Sequence, residues 1–220
     1  MTSTESAAGK PRLMTPTFAL AWVANFCQFL VFYLSVTTMA LYAVESFGAS
    51  DTVGGFASSA FVLGATCMRV FSGWIVDSVG YKKAALTSLA FVTVVAVAYF
   101  FAHNVAVLII VRMLHGAGYA LTSTALMAVA QSVIPHERRA EGTGYFALGT
   151  TLATAFGPAL GLFLANNIGY NTLFAVALGA NIVSLVLALV LHYPAEVSSE
   201  KPAFRLRNAV HPNVVPIGLF

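Results

Sequence analysis

Charge is scarce in this chain. Of its 220 residues only 9% are Asp, Glu, Lys or Arg, while 59% are hydrophobic; soluble domains carry about 25% charged residues. That shortage excludes a soluble domain and makes this an integral membrane protein. Acidic residues are missing altogether from the apolar runs. Glu5, Glu45, Asp51, Asp77, Glu137, Glu141, Glu196 and Glu200 all fall at the interfaces or in loops. Cysteine is down to two, Cys27 and Cys67, both inside apolar runs, where a thiol is a small packing residue rather than half of a disulfide or metal pair. The polar–apolar alternation that a membrane barrel strand needs over about ten residues is absent. So are a Ser/His/Asp constellation, a His-Glu-x-x-His zinc site and a phosphate loop. An enzyme is therefore the least favoured class, and no cofactor or metal is expected.

What is present is length. Six apolar runs are long enough to cross a bilayer, which takes about 20 residues: 18–44, 53–76, 84–102, 105–133, 142–165 and 172–191. The fold class expected is an all-α six-helix transmembrane bundle, with residues 1–17 as a cytoplasmic N-terminus and 18–192 as the bundle. Residues 1–12 are polar, with no apolar stretch followed by a cleavage site, so the first run reads as a retained helix. Residues 193–212 read as a cytoplasmic linker, and 213–220 as the start of a seventh, truncated helix. The net charge of +3 is no nucleic-acid footprint, because the basic residues sit between apolar runs. Lys10 and Arg12 precede the first run, Lys82 and Lys83 follow the second, Arg138 and Arg139 the fourth, and Lys201, Arg205 and Arg207 the sixth. The alternate connections hold no Lys or Arg. By the positive-inside rule the N-terminus is cytoplasmic, in a cell (inner) membrane.

Between the second and third runs lies Gly73-Trp-Ile-Val-Asp77-Ser-Val-Gly80-Tyr-Lys82-Lys83. Gly73 permits close approach of a neighbouring helix, Asp77 ends its helix at the water interface, Gly80 makes the turn and the lysines mark the cytoplasmic side. The pattern Gly-x-x-x-Asp-x-x-Gly-x-Lys-Lys resembles the loop signature between helices two and three of the major facilitator superfamily of transporters. In the fourth run, Arg112-Met-Leu-His115-Gly116-Ala-Gly118 is similar to that family's Arg-x-x-x-Gly-x-Gly signature. Gly144, Ala153, Gly157-Pro158 and Gly161 in the fifth resemble the antiporter signature Gly-x8-Gly-x3-Gly-Pro-x2-Gly-Gly, from which Ala153 and Leu162 depart. The resemblance covers nearly the whole chain but only the first six-helix half of such a transporter. It implies two inverted three-helix repeats and alternating access between two bundles. The partner implied is a C-terminal half or a second copy.

Ionisable and amide side chains inside the runs are the candidate cavity residues, because polar groups are costly in lipid. Arg112 is expected to face a water-filled cavity, a counter-ion or a substrate. His115 lies one turn on, either as a hydrogen-bonded packing residue or as a proton carrier. Asn25 and Gln28 share the same i, i+3 spacing in the first run, with Ser35 on their side; they line a cavity or tie helices together. Arg69 in the second run faces the cavity or extends to the cytoplasm. With no acidic residue in the core, proton coupling requires a carboxylate from elsewhere or His115 in its place, and the two arginines suit an anionic substrate. The family resemblance points to a proton-coupled efflux antiporter for a small molecule, similar to bacterial drug and metabolite carriers. The rival readings are an importing symporter and a non-transporting membrane protein.

Overall fold

A computed structural model of the chain describes residues 12–193, all of whose regular structure is helical. The expected linker and seventh helix lie outside the described residues, as do Lys10, Lys201, Arg205 and Arg207. Six long helices follow one another: α1 (Pro16–Phe47), α2 (Asp51–Val79), α3 (Tyr81–Ala98, prolonged by a 3-10 turn, Tyr99–Phe101), α4 (Val105–Val133), α5 (Arg139–Asn167) and α6 (Tyr170–Val190). Each is long and apolar enough to cross a membrane.

Local chemistry sets the ends. Thr15 caps α1 by accepting from the Phe18 N–H, with Pro16 occupying the first turn, where a missing donor costs nothing. Ser50 and Asn104 cap α2 and α4 in the same way. The second connection is tighter than a loop: α2 runs to Val79, α3 starts at Tyr81, and Gly80 alone turns the chain at φ 86°. Only glycine adopts that conformation without strain. Asp77 thus sits in the last turn of α2 rather than ending it, and Lys82 and Lys83 sit in the first turn of α3. Both placements oppose the helix macrodipoles, which favour cations at C-termini and anions at N-termini. These charges are not there for helix stability.

Packing repeats across the two halves of the bundle. α2 packs chiefly on α4 and α5 on α1, while α3 joins α4 and α6 joins α1, with α3 and α6 in contact. Exchanging the first three helices for the last three maps each of these pairs onto another, as expected of two inverted repeats. Where backbones meet most closely, glycine is required. A Cβ on Gly64 would strike the Met113 carbonyl of α4, and one on Gly116 would strike the Phe61 carbonyl of α2. Gly118 instead clears room for Val92 and Phe91 of α3, 2.5 and 2.7 Å from where its Cβ would stand. In α5, Gly157 and Gly161 do the same against Tyr33 and Leu34 of α1. Helix α5 continues through Pro158 without breaking.

Candidate functional site

A cavity of about 280 Å³ opens between α1, α2, α4 and α5. Asn25, Arg69, Ser123, Thr124 and Thr150 supply its polar lining, and Phe29, Met127 and Phe146 part of its apolar wall. At 1.5 Å rise per residue, the polar positions lie about 14–17 Å from the helix ends at the Lys82/Lys83 face. That is mid-depth in a hydrocarbon core of about 30 Å. An Arg69 terminal nitrogen donates to Ser123 Oγ at 3.3 Å. The hydroxyls of Ser123 and Thr124 both donate to the Ala120 carbonyl, at 3.2 and 2.8 Å, which leaves their lone pairs toward Arg69 and the cavity. Among the described residues an ion pair joins Arg138 to Glu141 at 2.7 Å. Arg69 has no carboxylate partner there.

Arg112 lies elsewhere. The expectation that it faces water, a counter-ion or a substrate gives way to a fully enclosed side chain, 0% exposed. Its guanidinium points into α2, donating to the Ser58 carbonyl at 2.8 Å and the Ala57 carbonyl at 3.4 Å, and lies 4.9 Å from the Phe61 ring centre. Backbone oxygens and an aromatic face take the place of an anion. One terminal nitrogen, Nη1, has no hydrogen-bond partner. His115 is buried beside it, with Nδ1 3.1 Å from the Tyr99 hydroxyl and its ring against Phe61. Phe29, Tyr119 and Phe61, with centroids 5.5 and 5.2 Å apart in succession, form an aromatic partition between the cavity and this Arg112–His115 cluster.

The polar stripe of the first run divides as well. Asn25 reaches the cavity, but Gln28 is turned away and donates to Asn181 Oδ1 of α6 at 3.0 Å, fully buried. Ser35 closes on its own helix, donating to the Val31 carbonyl at 2.8 Å. Gln28 against α6 parallels His115 against the end of α3 under the repeat exchange, whereas Asn25 opens on the cavity and Arg112 turns into α2, so the two pairs correspond only in their second members. Replacing Asn181 by Leu strands the Gln28 amide. Its expected cost is about 1 kcal/mol, given how modest interhelical hydrogen bonds are in membranes, and Gln28→Leu/Asn181→Leu should recover most of it; thermal unfolding of the four proteins in detergent measures the coupling.

The remaining signature residues fall at the surface or in the packing. Gly73, expected to admit a neighbouring helix, has no described atom within 4 Å of where its Cβ would be, and Gly144 is equally open. Asp77 is exposed in the last turn of α2. Lys82 holds its ammonium 5.5 Å from the Tyr193 ring centre, just past the end of α6. The sequence reading missed Tyr99, Asn181, Ser123 and Gly64. Asn181 carried the signal used for Asn25, a lone amide in an apolar run; Gly64 and Ser123 carried none that sets them apart from other small residues.

Six helices able to span a membrane, with a polar cavity at mid-depth, define a helical multi-pass membrane protein. The family model described as Major Facilitator Superfamily matches residues 21–218, and the chain belongs to that family. Among curated relatives, the multi-drug resistance efflux pump PmrA of Streptococcus pneumoniae is 30% identical over 161 residues, 70% of this chain and 39% of its own length. The staphylopine export protein of Staphylococcus aureus is 30% identical over 133 residues, 60% of this chain and 32% of that protein. An uncharacterized MFS-type transporter of Bacillus subtilis, YwoD, is 27% identical over 158 residues, 71% and 35% respectively. The chain thus spans well under half the length of these relatives.

Proposed function

We propose that this chain is the N-terminal bundle of a secondary active transporter that exports a small molecule across the cell membrane in exchange for protons. The observation that carries the reading is the mid-depth cavity around Arg69, on which α1, α2, α4 and α5 all converge. A charged side chain kept at that depth is expensive in lipid and marks a solute path. The efflux relatives and the Gly157-Pro158 signature favour the outward direction. Alternating access requires a second bundle, a C-terminal half or another copy of this chain, seated over the cavity. The open surfaces at Gly73 and Gly144 suit such a contact.

The N-terminus is cytoplasmic in this reading, since Arg12, Lys82, Lys83, Arg138 and Arg139 share one end of the bundle. Asp77 then stands at the cytoplasmic rim, placed against its own helix dipole, and latches one state by contact with the second bundle. The coupling carboxylate belongs to that bundle, because His115 is shut behind the aromatic partition.

Everted vesicles from cells making the protein test this. Adding a transported solute to respiring vesicles is expected to dissipate the acid-inside pH gradient, and an Asp77→Asn variant should insert normally yet lose about tenfold or more of that response. Solute flux indifferent to collapse of the proton gradient removes the coupling, and accumulation by right-side-out vesicles reverses the direction. An Asp77→Asn variant at full flux removes the latch.

A further inference from the structure

We propose that the cavity selects anionic substrates and that Arg69 sets this preference; the inference rests on the transport reading above and narrows its substrate class to organic acids with an apolar body. A pump for lipophilic cations would need negative charge in its cavity. The wall formed by the described residues carries none: its polar side chains are Arg69, Asn25, Ser123, Thr124 and Thr150. The acidic residues of the described chain, Glu45, Asp51, Asp77, Glu137 and Glu141, all stand at or beyond helix ends. A guanidinium carries five N–H donors in a planar fork suited to a carboxylate or sulfonate. Among the described residues it makes one hydrogen bond, the 3.3 Å bond to Ser123. The other donors are available to a ligand at the depth where the apolar wall of Phe29, Met127 and Phe146 begins. A carboxylate on an aromatic or branched apolar frame matches both. Arg112 does not share this role, because its guanidinium is turned onto the α2 carbonyls and lies behind Phe61 and Tyr119.

The preference is measurable without knowing the substrate. With Cys27 and Cys67 replaced by alanine, a Thr150→Cys reporter places one thiol on the cavity wall of the membrane-embedded protein. Its rates with the sulfonatoethyl and trimethylammonioethyl methanethiosulfonates, each divided by the rate for free cysteine, report the local potential. A unit charge sharing a cavity of this size alters each rate by a few-fold even at water-like screening, in opposite senses, so the anionic reagent should be favoured by roughly five- to tenfold. Arg69→Gln should bring the ratio back to that of free cysteine, which a merely structural arginine would not do. A Thr124→Cys reporter repeats the measurement from α4 if the first variant fails to fold.

Preference for the cationic reagent, a ratio unmoved by Arg69→Gln, or no labelling by either reagent in folded protein would each overturn the proposal. Benzenesulfonate and benzyltrimethylammonium, which have no neutral form to cross the bilayer unaided, are added in turn to respiring everted vesicles and separate it from the reading beneath it. Gradient dissipation by benzenesulfonate that Arg69→Gln abolishes supports both. Dissipation by benzyltrimethylammonium alone overturns the anion preference and leaves transport standing. A clear reagent preference with no response to either solute counts against transport and leaves an anion-binding cavity.

Discussion

A Gly116→Ala variant is expected to lose about 1–3 kcal/mol of stability, the usual range for overpacking, and to unfold in detergent roughly 2–12 °C below the parent, at about 2–4 °C per kcal/mol for a chain of this size. The added methyl meets backbone, not a side chain that can swing aside. Its neighbours would be the Phe61 carbonyl oxygen, the carbonyl carbon at 2.8 Å and the Cα at 3.0 Å. Relief requires α2 to withdraw by about 1 Å or more to recover ordinary contact distances. The same approach is fixed reciprocally by Gly64 against Met113, and it holds the 2.8 Å bond from Arg112 to Ser58 and the ring contact of Phe61 with His115. One methyl therefore disturbs the whole α2–α4 seam. Gly144→Ala is the control: nothing lies within 4 Å of its Cβ position, and its unfolding temperature should match the parent. Equal melting of the Gly116→Ala and Gly144→Ala proteins would show that the seam is loose enough to yield.

The bundle was legible because a bilayer simplifies the reading. Long apolar runs have to be helices when barrels are excluded, and the residues between them announce the turns. The helix ends at Val79 and Tyr81 were less legible. Asp77, Lys82 and Lys83 read as loop because charge marks an interface, but helices continue through charged turns, and only Gly80 breaks the hydrogen-bond ladder there.

The site was harder, and the reason is rotational. A polar residue in an apolar run must be satisfied, yet sequence does not say whether by water, by a ligand or by the next helix. Asn25 and Gln28, less than one turn apart, go to the cavity and to Asn181 respectively. Arg69 and Arg112 look equivalent by cost. One reaches the cavity, while the other is absorbed by the carbonyls of α2. That second outcome was invisible because backbone acceptors occur at every position and leave no mark in the sequence. Gly64 meets the Met113 backbone and Gly116 the Phe61 backbone, and nothing in either run singles out the partner.

Arg112→Leu is expected to insert, fold and melt within about 1 kcal/mol of the parent while losing tenfold or more of its flux. Placing a guanidinium mid-membrane costs about 2.5–3.5 kcal/mol on insertion scales, and the stranded Nη1 adds about 1–3. Against this stand one good charge-assisted bond to Ser58, a long one to Ala57 and the Phe61 face, together about 3–5 kcal/mol. The balance is close to zero. Removing the side chain also leaves no orphan, since both carbonyls keep their places in the α2 ladder. A leucine of similar volume brings no charge to desolvate, the situation in which apolar replacement is often neutral. Arg112 therefore contributes little to the fold, and its unspent donor, beside a histidine and a tyrosine, is the ground for expecting the loss to fall on flux. Arg112→Lys should fail in flux too, because an ammonium lacks the planar fork that spans two carbonyls. Melting temperature and solute-driven proton flux, measured on the same preparations, decide it. A large drop in stability with flux intact in the protein that survives would make Arg112 a fastening between α4 and α2 and nothing more.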